Sequence, residues 1–154
     1  MPSTFKPDGY HSLTPYLIVD DAAKALDFYQ RAFAAEELYR LPMGDKIGHA
    51  EMKIGDSIFM LSDEWPDMNA MGPHARGGGT TSFMIYTEDA EAAHARAISA
   101  GATLDRPVKL EFWGDRIGTV IDPFGHKWSL ATHVEDVPPD EMQKRLEQWS
   151  AANS

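Results

Sequence analysis

The chain states one pattern twice. Residues 15–38, PYLIVDDAAKALDFYQRAFAAEEL, read as an apolar strand, an acidic turn, an Ala-rich helix and a second strand. Residues 82–104, SFMIYTEDAEAAHARAISAGATL, repeat that order at an offset of about 67 residues. Each copy runs on into a β-hairpin: HAEMKIGDSIFMLSD, with Gly55-Asp56 at its turn, and RIGTVIDPFGHKWSLATH, with Asp122-Pro123-Phe124-Gly125. Period-two alternation on either side of helical spacing makes each copy a βαβββ module. The expected fold is therefore α+β, with sheets curled around a cavity and helices outside. At 154 residues the chain is long enough for one well-filled core. We assign residues 1–137 to a single domain, with modules at about 10–63 and 80–134, a linker at 63–80 and a C-terminal helix at 138–154.

Local signals set the boundaries. In the first strand Leu13, Pro15, Leu17 and Val19 alternate with Thr14, Tyr16 and Ile18. Asp20 or Asp21 caps a helix over 22–34 that buries Leu26, Phe28, Tyr29 and Phe33. Glu88 or Asp89 opens a helix over 90–100, and Gly101 suits the position just past its end. Pro2, Pro7 and Gly9 mark an extended N-terminal arm. The linker's Gly77-Gly78-Gly79 lacks the Lys-Ser/Thr of a phosphate loop and reads as flexible chain. Beyond Pro138-Pro139, Asp140 can cap a terminal helix with Met142, Leu146 and Trp149 on one docking stripe.

Composition excludes some classes of partner. A formal charge of −10 with no basic face speaks against nucleic acid. No apolar run approaches the roughly 20 residues of a membrane span. Zero cysteines exclude disulfides and thiolate metal sites, and suit a cytoplasmic protein.

The hairpin turns fix which side chains share a face. A two-residue Gly55-Asp56 turn pairs Ile54 with Ser57, Met52 with Phe59 and Ala50 with Leu61, an apolar face for the helices. Lys53 opposite Ile58, Glu51 opposite Met60, and His49 then point into the cavity. Tyr16 and Met84 share that parity, Tyr86 extends it, and His133 falls on it in the last strand. Trp128 has the opposite parity, that of the core. Trp113 and Arg116 in FWGDR offer a stacking plane and a cation for an anionic or conjugated ligand; the alternative is Arg116 paired with Asp115 or Asp122 at the surface. His74, His94 and His126 read as solvated.

Three ordered segments, VDDAAKALDFYQRAF, the alternation around Gly55-Asp56, and WGDRIGTVIDPFGHKWSL, resemble the vicinal oxygen chelate superfamily of glyoxalases, bleomycin-resistance proteins and extradiol dioxygenases. YHSLTPYLIVDDAAKALDFY, HAEMKIGDSIFMLSDE and WGDRIGTVIDPFGHKWSLATHVEDV are closest to its PhnB-like branch, and the resemblance covers roughly residues 8–137. It implies paired βαβββ modules around a cavity, usually in a homodimer, but not a particular reaction. It also implies where metal-dependent members carry their ligands: Thr14, Met60, Ser82 and Ser129 here. None is imidazole or carboxylate, and the neighbours Leu13, Pro15, Phe83, Trp128 and Leu130 are apolar, so neither a metal at these positions nor another cofactor is expected.

Three readings of function stay open. One is a metal-free binder of a small amphipathic molecule, with Tyr16, Met60, Met84 and Trp113 as walls and Glu51, His49, Arg116 and His133 as polar groups. The second is a divergent lyase, isomerase or oxygenase using His49 and Glu51 as an acid–base pair, or with His133 as a relocated metal site. The third is a structural or interaction protein whose cavity is filled by side chains. For His49 and Glu51 themselves the alternative to a site is a polar, partly solvated sheet face where Glu51 bonds a neighbouring Lys or Tyr.

Overall fold

The two modules fold as the repeat requires. A computed structural model describes residues 4–154, and Pro2, assigned above to the N-terminal arm, lies outside the described residues. Module one comprises β1 (Tyr16–Val19), α1 (Ala22–Phe33), β2 (Glu36–Met43), β3 (Lys46–Ile54) and β4 (Ser57–Asp63). After a short helix α2 (Pro73–Arg76), module two repeats it with β5 (Ser82–Tyr86), α3 (Ala90–Ala100), β6 (Thr103–Leu110), β7 (Asp115–Ile121) and β8 (Lys127–His133). A terminal helix α4 (Pro139–Ala152) closes the chain. The strand orders are β1-β4-β3-β2 and β5-β8-β7-β6. In each sheet the strand before the helix pairs parallel with the last strand, and the hairpins pair antiparallel.

Local chemistry explains the edges of these elements. Asp21 accepts from the Lys24 amide at the start of α1, and Asp89 accepts from the Ala92 amide at the start of α3. Gly101 ends α3 at φ 125°, where a side chain would be strained. The β3–β4 register runs through Ile54–Ser57, Lys53–Ile58, Met52–Phe59, Glu51–Met60 and Ala50–Leu61, as the Gly55-Asp56 turn demands. Several expectations need correcting. The first strand starts only at Tyr16, leaving Leu13 exposed before it. The chain leaving β4 is held by side chains: Asp63, its last residue, accepts from the amides of Ala22 and Ile47, and Glu64 accepts from the Gly72 amide. Asp140 does not cap α4; Pro138 is the N-cap, without a side-chain hydrogen bond.

One core serves both modules. The α1 side chains Leu26, Phe28, Tyr29 and Phe33 pack over Leu17, Met52, Phe59 and Leu61 of the first sheet. They also meet the second module, since Trp128 stands 4.7 Å from Phe33 and 5.3 Å from Tyr29, ring to ring. Asp122 in the second hairpin turn is the polar hub of this core. Its Oδ2 accepts from the Tyr29 hydroxyl at 2.6 Å and the Trp128 indole at 2.9 Å, while its Oδ1 accepts from the amides of Phe124 and His126. Burial and this carboxylate push the Tyr29 phenol well above its usual range. Helices α1 and α3 also bond directly, Arg31 donating to the Ala100 carbonyl and Arg96 to that of Arg31.

Two histidines expected in solvent belong to this framework. His126 Nε2 donates to the Ile18 carbonyl at 2.9 Å, tying the second hairpin to β1. His94 is buried, its Nε2 bonding the carbonyls of Arg106 and Thr119. Gly118 makes the room: a Cβ there would stand 2.8 Å from the His94 ring and 2.6 Å from Val108. His74 is exposed as expected, though its Nε2 bonds the Pro123 carbonyl. The helices thus cover one face of each sheet. Within one chain the two sheets do not close on one another, and the faces away from the helices stay open. Among the described residues no helix is long and apolar enough to cross a membrane.

Candidate functional site

On the open face of the first sheet, four polar side chains form one chain of hydrogen bonds. Strand alternation puts Glu51 and His49 of β3 on this face, with Met60 opposite Glu51 and next to Tyr16. Tyr39 joins from β2, where an irregularity in the ladder between Glu37 and Tyr39 brings it opposite Glu51. Glu51 Oε2 accepts from the Tyr39 hydroxyl at 2.7 Å and lies 2.6 Å from His49 Nε2. His49 Nδ1 lies 2.8 Å from the Tyr16 hydroxyl.

The chemistry of these groups fixes the protons. An ionised carboxylate only accepts, so His49 carries its hydrogen on Nε2 and donates to Glu51. Its Nδ1 is then an acceptor, and Tyr16 donates to it. Burial lowers the His49 pKa, favouring this neutral ring, and pushes the Glu51 carboxyl up. Glu51 is only 3% exposed, and its Oε1 is buried without a hydrogen-bond partner. Tyr16, by contrast, is 48% exposed, and Tyr39 and Leu41 on the opposite edge strand β2 are also open.

The second module carries a different cluster on its corresponding face. Asp115 is buried and opposite His133 in the β7–β8 ladder. Its Oδ2 accepts from the Tyr86 hydroxyl at 3.1 Å, and its Oδ1 faces His133 Nδ1 at 2.8 Å. His133 Nε2 meets Asp136 at 2.7 Å. A ring flanked by two carboxylates can donate from both nitrogens as an imidazolium, and the hydrogen bonds to Asp136 first, then Asp115, raise its pKa.

The remaining sequence candidates are dispersed. Met84 lines a groove of about 600 Å³ with Leu13, Pro15, Ile58, Tyr86 and Trp128, beside the first-module chain rather than over it. Trp113 sits in the β6–β7 loop against Phe112, whose other ring neighbour is Trp149 of α4. Arg116 points to the helix side and pairs with Glu91 of α3, neither of the partners expected for it. A single chain therefore does not gather Trp113 and Arg116 around Glu51. Sequence reasoning missed Tyr39, Asp115 and Asp136. The strand irregularity concealed the parity of Tyr39; for Asp115, the alternation that placed His133 would have served.

The donors available do not suit a divalent metal at the family positions. Thr14 precedes β1 and bonds the His11 carbonyl, while Met60, Ser82 and Ser129 offer a thioether and two hydroxyls. His49 and Glu51 bond each other, and both nitrogens of His133 are engaged by carboxylates. Among the described residues no group of three His, Asp or Glu side chains is arranged to hold a metal.

Fold and sequence agree on the class of protein. The sequence pattern of the Glyoxalase/Bleomycin resistance protein/Dioxygenase superfamily matches residues 10–130, and the chain belongs to that superfamily. The uncharacterized protein Mb0911c of Mycobacterium bovis is 44% identical over 139 residues, covering 88% of this chain and 91% of its own. The Arabidopsis thaliana protein At5g48480 is 33% identical over 115 residues, 70% of this chain and 69% of its own. Its crystal structure matches with a TM-score of 0.65 at 29% identity, covering 79% of this chain and 98% of that one. TioX from Micromonospora sp. ML1 matches with a TM-score of 0.64 at 27% identity, covering 80% and 99%.

Proposed function

We propose that this chain is a small-molecule-binding member of the superfamily, of its PhnB-like branch, which takes an amphipathic ligand on the open face of the first sheet without a divalent metal. One observation carries this reading: the Tyr39–Glu51–His49–Tyr16 chain runs from a buried carboxylate to half-exposed side chains on an open sheet face that also exposes Leu41. Apolar walls such as Met60, Leu41 and the tyrosine rings supply most of the affinity, at about 25 cal/mol per Å² buried, and the polar chain fixes orientation. The open faces expose Tyr39, Leu41, Met43, Met84 and Tyr86, and a second copy covering them makes the functional unit a homodimer. Light scattering is expected to give twice the chain mass of 17.1 kDa. A monomer at micromolar concentration contradicts the dimer.

The ligand site is tested by a thermal-shift screen of small aromatic metabolites on wild type, Tyr16→Ala and Glu51→Gln. Compounds that stabilise wild type are expected to lose their effect in Tyr16→Ala and to change rank in Glu51→Gln. Hits unaffected by both substitutions place the ligand elsewhere.

The hydrogen-bond order also supports a second reading, a lyase or isomerase. Glu51 holds His49 in the tautomer whose Nδ1 can draw the Tyr16 proton as Tyr16 takes one from a bound substrate. Solvent-deuterium incorporation into a bound carbonyl compound, lost in His49→Ala, would favour it over simple binding.

A further inference from the structure

The hydrogens of the first-module chain are all in use. Tyr39 donates its hydroxyl hydrogen to Glu51, Tyr16 donates to His49, and His49 donates its one ring hydrogen to Glu51. What remains free is acceptor capacity alone: the partnerless Glu51 Oε1 and the lone pairs of the two phenol oxygens. We propose that this face recognises an organic cation bearing N–H donors, an ammonium or amidinium on a small apolar body. The proposal rests on the reading that this face is the ligand site, and adds the chemistry of what it takes.

Three further observations agree. Among the described residues no Lys or Arg pairs with Glu51. Its ion-pair partner is the neutral His49, and Lys53, next on that face, forms no ion pair. The buried carboxylate therefore lacks a countercharge, which a bound cation provides. The Tyr16 and Tyr39 rings flank His49, with centroids 5.4 and 5.9 Å from it, and offer π faces to a cation. The cation expected to receive an anionic ligand, Arg116, is on the helix side with Glu91. A carboxylate or carbonyl ligand would set acceptor against acceptor.

A charge series of near-equal size tests this on the wild-type protein. Dissociation constants are measured by ligand-detected NMR for benzamidine, 2-phenylethylamine, 2-phenylethanol and 3-phenylpropionate. The two cations are expected to bind about tenfold or more tighter than the alcohol, and 3-phenylpropionate weakest of all. Glu51→Gln, checked for its fold by circular dichroism, is expected to remove the advantage of the cations over the alcohol. If 3-phenylpropionate or the alcohol binds as tightly as the cations, or if Glu51→Gln leaves the cation preference intact, the proposal is overturned while the face remains a binding site. If none of the four binds, both this proposal and the reading of the face as a ligand site fail.

Discussion

The two modules share a topology but set their histidines in opposite electrostatic frames. In the first, His49 stands between a phenol and a buried carboxylate that also holds a second phenol, and burial keeps the ring neutral. In the second, His133 stands half-exposed between two carboxylates that raise its pKa and favour the charged ring. The first cluster has a carboxylate oxygen to spare; in the second, Asp115 is fully engaged by Tyr86 and His133. A duplicated scaffold thus separates two roles. One face is left short of donors, while the other satisfies its own charges.

Three experiments can break or sharpen that contrast. The largest effect is expected where the modules depend on each other. Asp122→Ala leaves the buried Tyr29 hydroxyl and Trp128 indole without an acceptor, and should cost about 3 kcal/mol or more in urea unfolding. A cost under about 1 kcal/mol would mean that the modules do not share a core. The next contrast sets the two carboxylates side by side. Glu51→Gln removes a buried charge that lacks a countercharge, and should leave stability within about 1 kcal/mol of wild type or above it. Asp115→Asn breaks a fully bonded group and should destabilise at neutral pH. Equal losses would erase the distinction between the faces.

The smallest effect is the pH dependence, and its sign differs between the modules. Relative to an unfolded histidine near pH 6.5, the folded-state pKa of His133 is raised. Its contribution is complete below about pH 6.5 and is lost as pH rises through the folded value. His49 runs the other way: its lowered pKa makes stability fall as pH drops below about 6.5. NMR titration of the histidine Cε1–H resonances should place the His49 midpoint below that value and the His133 midpoint above it. The reverse order would refute the assignment.

Much of this arrangement was legible because it depends on local rules. The repeat, the caps at Asp21 and Asp89, and the β3–β4 register follow from turn chemistry and a period of two. The same alternation put His49 and Glu51 on one face with Met60 and Tyr16, and the polar-face alternative named a Lys or a Tyr as a partner of Glu51. Burial of Glu51 was not legible, because it depends on Tyr39, whose parity shifts at a break in the β2–β3 ladder. His94 was misread because its pocket is made by the absence of a side chain at Gly118, on a distant strand. Arg116 was assigned to a ligand because nothing local shows that Glu91, in the first turn of α3, reaches it first. The anchors Asp63 and Glu64 were not legible either, because they bond amides that are distant or several residues away.

The most direct test of the first-module site uses histidine Cε1–H resonances as reporters. The strongest stabiliser from the aromatic screen is titrated into wild-type protein with assigned histidine signals. Saturable movement of the His49 resonance, following the same binding curve as the thermal stabilisation, is the expected result. A His49 resonance that stays fixed while the compound stabilises the protein would contradict the assignment of this face as the binding site.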